Sequence, residues 1–418
     1  MSDFINYANS FQTVINLGLG RISALLDMSG NPQDRCRCIH VGGTNGKGSV
    51  CAFMEAMLRA AGLRVGRYTS PNLIRVNERI TVDGIPISDG ELNSLLDRVG
   101  ERCEKVRELT GETPTQFEVW TAAAFEYFGA ANCDYVLLEV GMGGEFDATN
   151  VIKTNAAAVL TRIDLDHCAY LGNTVEEIAR TKCGIIKESS TTVTVKQEPA
   201  VNRVIENCAA EKHNRLVTAQ APVSLGFEDI YEIFEYKGRR LRCGLGGPHQ
   251  LENAAIAVAA AETLGIDADS ICRGIMTARH PARLEQIAPG LIFDGAHNPN
   301  GVEALVTALE RYFPDEEQTV IFSCMKDKDI VPSLKMLATP RRSFIFTQVE
   351  GNPRSMSPEE LQGVAAATGI TGTAARNLTE AARLAAKLGK LTIACGSLYL
   401  YETAPEAVRA FKKYRTTY

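Results

Sequence analysis

Cys38-Ile39-His40-Val41-Gly42-Gly43-Thr44-Asn45-Gly46-Lys47-Gly48-Ser49-Val50 passes from a short apolar strand, through a glycine-rich turn holding one lysine, into a run with helical spacing. Glycines let a backbone approach an anion closely, and a helix N-terminus presents free N–H groups at its positive end. Lys47 adds a mobile positive charge. The turn therefore predicts a phosphate cradle built from Asn45, Gly46, Lys47, Gly48 and Ser49, with the Ser49 hydroxyl placed where a magnesium ion needs oxygen. The pattern is shifted from the usual nucleotide loop: Val41 stands where a glycine is expected, and Gly48 separates Lys47 from Ser49.

Outward from this loop, apolar runs alternate with helical spacing. Strands are predicted at residues 63–69, 135–140, 156–160 and 191–195, and helices at 89–109, 115–130, 175–186 and from 200. Before the loop, residues 4–27 read as helix, turn, helix, with the turn at Leu17-Gly18-Leu19-Gly20-Arg21. Residues 70–79 form a long polar connection of the kind that is usually functional. Such alternation predicts an α/β fold with a mostly parallel sheet covered by helices on both faces. Residues 229–245 instead predict an antiparallel hairpin turning at Lys237-Gly238. An alanine-rich helix is expected over 250–264, and a second alternating set at 291–294, 319–322, 343–346 and 391–394. The expected architecture is a large nucleotide-binding domain over 1–286 followed by a smaller Rossmann-like α/β domain over 287–418, divided where Pro281 and Pro289-Gly290 interrupt both patterns.

Length agrees with two domains, since 418 residues exceed what one core usually serves. With a net charge of -6 and no basic tract, the chain is not expected to bind nucleic acid. No apolar run approaches the roughly 20 residues of a membrane span. Met-Ser-Asp-Phe does not begin a signal peptide, so a cytosolic protein is expected. The twelve cysteines are scattered, with no CxxC, and read as reduced thiols.

A magnesium-nucleotide site needs a carboxylate at the end of a neighbouring strand, and Glu139 ends the run Tyr135-Val136-Leu137-Leu138. The block Asp164-Leu165-Asp166-His167, then Leu171-Gly172-Asn173-Thr174, then Lys182-Cys183-Gly184-Ile185 completes a pattern. With Gly-Thr-Asn-Gly-Lys-Gly-Ser, it resembles the folylpolyglutamate and dihydrofolate synthases of the Mur ligase superfamily. Further matches extend the resemblance over nearly the whole chain: Tyr68-Thr69-Ser70-Pro71, Thr115-Gln116-Phe117-Glu118, Phe146-Asp147-Ala148, Asn253, Arg283, Asp294-Gly295-Ala296-His297 and Gly396-Ser397.

The resemblance implies ATP-driven amide formation between a folate-type acid and L-glutamate, through an acyl phosphate, by a monomeric enzyme. Lys47, Glu139, His167 and Lys182 would be catalytic, and Ser49, Ser70, Glu139, His167 and a carbamylated Lys182 would hold magnesium at two positions. Asn253, Arg283, Asp294 and His297 would join the loop in binding ATP. Gly18, Leu19, Gly20, Arg21, Thr115, Gln116, Phe117, Glu118, Phe146, Asp147, Ala148 and Ser397 would bind the substrates. The chain departs from the family at Asn72, Glu145-Phe146, Thr181 and Ala282, where His, Arg-Leu, Glu and Gly are usual. These departures concern the acceptor, so a related ligase acting on another acid is the near alternative. A phosphate-loop switch ATPase is the more distant one.

Overall fold

The computed structural model describes residue 16 and residues 18–415; the helix expected before Leu17, and Leu17 itself, lie outside the described residues. Its first sheet is built from β1 (Cys38–Gly42), β2 (Val65–Tyr68), β3 (Ile80–Val82), β4 (Ile85–Pro86), β5 (Tyr135–Glu139), β6 (Ala157–Leu160), β7 (Thr191–Val195) and β8 (Arg215–Ala219). These eight strands take the order β4-β3-β2-β5-β1-β6-β7-β8. β1, β5 and β6 are buried from end to end, the burial that uninterrupted apolar runs anticipate in a parallel sheet covered on both faces. From β1 the chain crosses over β5 to reach β2, while β6 pairs with the other side of β1. The loop after β1 therefore opens at the carboxyl edge of the sheet where the connections diverge, the usual place for a ligand in such a fold.

One core cluster joins Val136 and Leu138 of β5 to Trp120, Phe125 and Phe128 and to Ile22 and Leu25. A second joins Ala158 and Leu160 of β6 to Ile178, Ile185, Val201 and Ile205. The helices carrying these residues are Gly20–Asp27, Gln116–Ala131, Val175–Cys183 and Pro199–Glu211, with Ile185 in the turn that follows Val175–Cys183. β3, β4 and β8 are not visible as patterns in the sequence, because two are very short and β8 is mostly accessible at the sheet edge. The polar connection at 70–79 is held by Glu78, whose carboxylate accepts from the amides of Leu73 at 2.9 Å, Ile74 at 3.2 Å and Arg75 at 2.9 Å.

β9 (Ser224–Glu228), β10 (Tyr231–Tyr236) and β11 (Arg239–Arg242) form a small sheet of their own. The expected hairpin is its second half, and Lys237 (φ 48°) and Gly238 (φ 74°) supply the two positive φ angles that a tight two-residue turn requires. β9 was not expected from sequence.

A third sheet contains β12 (Glu285–Ala288), β13 (Leu291–Phe293), β14 (Gln318–Phe322), β15 (Arg342–Phe346), β16 (Gly372–Ala374) and β17 (Leu391–Cys395), in the order β12-β13-β17-β14-β15-β16. Only β12 runs antiparallel. The short flanking strands β12 and β16 add to the four central strands legible in the sequence.

The chain divides into two units. The first takes in residues up to Val223, with Glu235–Leu241 and Leu251–Ala278; the second takes in Ser224–Phe234, Arg242–Gln250 and Arg279–Tyr418. The second unit thus begins before residue 287 and includes earlier segments, because Ile230 and Leu284 are buried in the same core as Val302, Leu305 and Phe322. A contact of this kind between distant segments leaves no local mark in the sequence.

Candidate functional site

The backbone of the glycine loop after β1 is pinned from several directions. Gly43 (φ 139°) and Gly46 (φ 89°) occupy conformations that L side chains rarely adopt. A Cβ on Gly43 would lie 1.9 Å from Thr161 Oγ1, and one on Gly46 2.3 Å from Asn253 Oδ1. The Thr161 hydroxyl donates to Asn45 O at 2.6 Å, the Thr44 amide donates to Arg162 O at 2.9 Å, and the Asp164 amide donates to Thr44 Oγ1 at 3.0 Å. The helix Lys47–Ala60 starts immediately after Gly46. The sequence reading named Asn45, Gly46, Gly48 and Asn253 but missed Thr44 and Thr161, whose only cue was position beside the loop or at a strand end.

Two lysines meet on one carbonyl of this loop. Lys47 Nζ donates to Gly43 O at 3.2 Å and Thr44 O at 3.1 Å, and Lys182 Nζ donates to Gly43 O at 2.9 Å. Lys182 lies in the last turn of Val175–Cys183, a helix started by a reciprocal Thr174–Glu177 cap, and is only 4% exposed. Burial pushes its ammonium down to about 7, the charge of Lys47 acts in the same direction, and Asp166 and Asp147 oppose it. Lys47, Met142, Asp166, His167 and Lys182 face a common recess with Gly43.

Glu139 ends β5 directly across from Val41, is nearly buried, and accepts from the Ser70 amide at 3.4 Å. Ser49 is buried in the first turn after the loop. His167 adopts a left-handed backbone (φ 52°) ahead of the short helix Cys168–Leu171, and its amide donates to Asp166 Oδ1 at 2.9 Å. Among the described residues no three His, Cys, Asp or Glu side chains converge as a metal cage. Magnesium does not need one, since it is commonly held by one or two carboxylates, waters and the phosphates of a nucleotide. Glu139 with the Ser49 hydroxyl fits that donor set.

Several residues assigned to the acceptor form a polar network among themselves. Arg21, in Gly20–Asp27, donates to Glu118 at 3.0 Å, to Glu112 at 2.6 Å and to Asn16 O at 2.6 Å. The Thr115 amide donates to Glu118 at 2.6 Å and the Glu118 amide to Thr115 Oγ1 at 3.3 Å, a reciprocal cap at the start of Gln116–Ala131. The Thr-x-x-Glu spacing is the sequence mark of such a cap, which the reading of this segment as a substrate contact passed over. Gln116 opens the helix, while Phe117 lies 6.0 Å from the Tyr68 ring and covers Gly141, where a Cβ would sit 2.6 Å from its ring.

Asp147, also assigned to the acceptor, is buried and fixes its own turn, accepting from Met142 N at 2.9 Å and Thr149 N at 3.0 Å. Ala148 starts the 3-10 turn Ala148–Val151 and is buried, whereas Phe146 is 46% exposed. Leu19 packs against the core beside Gly18, whose positive φ (146°) favours glycine. At the departures, Asn72 accepts from Arg79 at 2.8 Å, Thr181 turns its hydroxyl back to Glu177 O at 3.2 Å, and the Glu145 amide donates to Thr181 O at 2.8 Å.

In the second unit Asp294 follows β13, is buried, and accepts from Leu284 N at 2.7 Å and Ala296 N at 2.8 Å. Burial raises its carboxyl, while Arg283 and those two amides oppose the shift. Arg283 stands between Ala282 (φ 58°) and Leu284 (φ 40°), both left-handed. A run of this kind costs energy for non-glycine residues and tends to mark functional sites. His297 Nδ1 donates to Gly295 O at 2.9 Å, and Ser397 caps the 3-10 turn Leu398–Thr403, accepting from Tyr399 N at 3.3 Å.

Residues 41–261 match the Mur ligase middle domain, and residues 282–398 match the Mur ligase, glutamate ligase domain. The dihydrofolate synthase/folylpolyglutamate synthase of Bacillus subtilis is 38% identical over 362 residues, covering 82% of this chain and 84% of that protein. The dihydrofolate synthetase of Saccharomyces cerevisiae is 30% identical, covering 92% of this chain and 96% of its own length. Among solved structures, Mycobacterium tuberculosis folylpolyglutamate synthase complexed with ADP and AMPPCP superposes with a TM-score of 0.89 at 30% identity, covering 98% of this chain and 97% of that one.

Proposed function

Because this chain belongs to the folylpolyglutamate synthase/dihydrofolate synthase family of Mur ligases, we propose that it joins a folate-type carboxylate, dihydropteroate or a folyl-glutamate, to L-glutamate. It is an ATP-dependent, ADP-forming ligase. The observation that carries the reading is the glycine loop with Lys47 and Lys182 on Gly43 O beside the carboxylate of Glu139.

The acceptor carboxylate attacks the γ-phosphorus, forming an acyl phosphate and releasing ADP. The glutamate amine then attacks the acyl carbon, loses a proton, and expels inorganic phosphate. No nucleophilic side chain is needed, so catalysis rests on positioning and charge stabilisation. The loop amides hold phosphate oxygens, and Lys47 leaves its loop carbonyls to neutralise the charge that develops on them. Ser49, Ser70 and Glu139 would hold one magnesium ion, and His167 with carbamylated Lys182 a second; bound magnesium supplies charge neutralisation of the phosphates. Asn253, Arg283, Asp294 and His297 serve ATP, and Ser397 the amino acid. The enzyme is proposed to work in the cytosol as a monomer; its twelve cysteines are free thiols, as a reducing compartment requires.

Phosphate release tests the reading. With ATP and a panel of acyl acceptors, release should depend on adding glutamate, and mass spectrometry should find the matching glutamyl product. Glutamate-independent hydrolysis without product would identify a switch ATPase instead.

Arg283→Ala should raise the ATP concentration needed for half-maximal rate by about tenfold, with a smaller effect on the glutamate requirement, because removing one charge-assisted phosphate contact costs about 1.5–3 kcal/mol. Superimposable ATP titrations of variant and wild type would remove Arg283 from the nucleotide site.

A further inference from the structure

His40 lies within β1, just before the glycine loop, and its imidazole is fully buried. Its Nε2 is 2.8 Å from Thr149 Oγ1. Thr149 has a single hydroxyl proton, and it is directed at Asp147 Oδ1. Oγ1 therefore accepts, and His40 carries its proton on Nε2. Nδ1 meets no hydrogen-bond partner among the described residues. Leaving a buried nitrogen unpaired costs stability that a phenyl ring of similar size would not. Burial pushes the imidazole down to about 3, with Lys187 acting in the same direction, so it stays neutral throughout the physiological range.

The bonds continue from His40 toward the recess. Asp147 Oδ2 accepts from Met142 N at 2.9 Å, fixing the turn at 141–147. Asn150 donates to Glu145 O at 3.0 Å and to Gly184 O at 3.1 Å, while the Glu145 amide donates to Thr181 O at 2.8 Å. A Cβ on Gly144 would lie 2.8 Å from Lys182 O, so the turn is seated directly on the end of the helix that bears Lys182. Met142 and Gly143 of the same turn line the recess with Lys47 and His167.

We infer that His40 is a positioning residue: through Thr149 and Asp147, its Nε2–H holds the turn 141–147 against the helix end carrying Lys182, and so sets the wall of the phosphate recess. This assignment explains why a strand interior keeps an imidazole with one unpaired nitrogen. Its consequence for activity rests on the ligase reading, whereas its consequence for the turn does not.

Hydrogen exchange and steady-state kinetics of His40→Phe, His40→Gln, Thr149→Val and Thr149→Ser separate the two. In His40→Phe and Thr149→Val, amides within 141–147 should exchange about tenfold faster. In the same variants kcat should fall about ten- to a hundredfold, as displaced catalytic groups do. The KM for glutamate should change less, and the thermal midpoint of His40→Phe should hold or rise because the unpaired nitrogen is gone. His40→Gln, whose amide nitrogen reaches the place of Nε2, and Thr149→Ser, which keeps the hydroxyl, should recover most of both readouts. Unchanged exchange and kcat in His40→Phe and Thr149→Val would overturn the assignment. So would losses in Gln and Ser as large as in Phe and Val that simply follow the thermal midpoint. Should His40→Phe fail to fold, the Thr149 pair decides by the same criteria. Faster exchange in a protein whose wild type forms no glutamyl product would uphold the positioning role and reject the ligase reading.

Discussion

Lys47→Ala should lower kcat for ligation by about 10²–10³-fold, the usual loss when one preorganised charge is removed from a developing anion. Its thermal midpoint should stay close to that of the wild type. The ammonium makes its hydrogen bonds to Gly43 O and Thr44 O of its own loop, and the loop backbone is held independently by Thr161 and by the Arg162 carbonyl. Nothing in the core depends on the side chain. Paired measurements of product formation and thermal unfolding decide the matter. A folded variant ligating at near wild-type rate would end the phosphate-cradle assignment.

Lys182→Ala should lose activity to a comparable degree, and formate or acetate should restore part of it. Carbamylation joins the neutral amine to carbon dioxide and releases one proton, leaving a carboxylate-like group. The site favours that reaction: the amine is nearly buried, shares Gly43 O with Lys47, and is held down to about 7 mainly by burial. The sign follows directly. As pH rises through about 7 the neutral amine predominates, so activation by added bicarbonate should increase over that interval and be weak below it. A negative group there would also relieve the repulsion between the two ammonium groups. Thr181, where an acidic residue is usual, withholds a second negative charge from the neighbourhood. Full activity in Lys182→Ala, or an unmodified lysine in intact-protein mass spectra of active enzyme prepared with bicarbonate, would remove the modified lysine from the site.

Most of the sheet was legible because its central strands are short apolar runs bounded by polar or glycine turns. β7 has the bounds expected, and the Lys237-Gly238 hairpin has the two positive φ angles its sequence called for. β3, β4, β8, β9, β12 and β16 escaped notice because they are short, edge-like or partly exposed, so neither burial nor alternation marked them. Thr115 and Glu118 show a different effect. Family resemblance directed attention to a substrate, while the spacing Thr-x-x-Glu also encoded a helix cap, and the two side chains make that cap. Asp147 likewise spends its carboxylate on Met142 and Thr149.

By itself the sequence determined the glycine loop and the alternation that yields parallel sheets, because these follow from interactions within a few residues. Glycine at 43 and 46 permits the loop's backbone angles, and the helix begins directly behind it. Tertiary structure alone decided that Lys182, 139 positions from Gly43, would share that residue's carbonyl with Lys47. It also decided that His40 would meet Thr149, and that Ile230 would enter the core of the second unit. Each of these depends on which buried surfaces pack together after chain reversals and crossovers. Burial then changes the chemistry of the groups it encloses, so that the ammonium of Lys182 is pushed down to about 7, far below that of a solvated lysine.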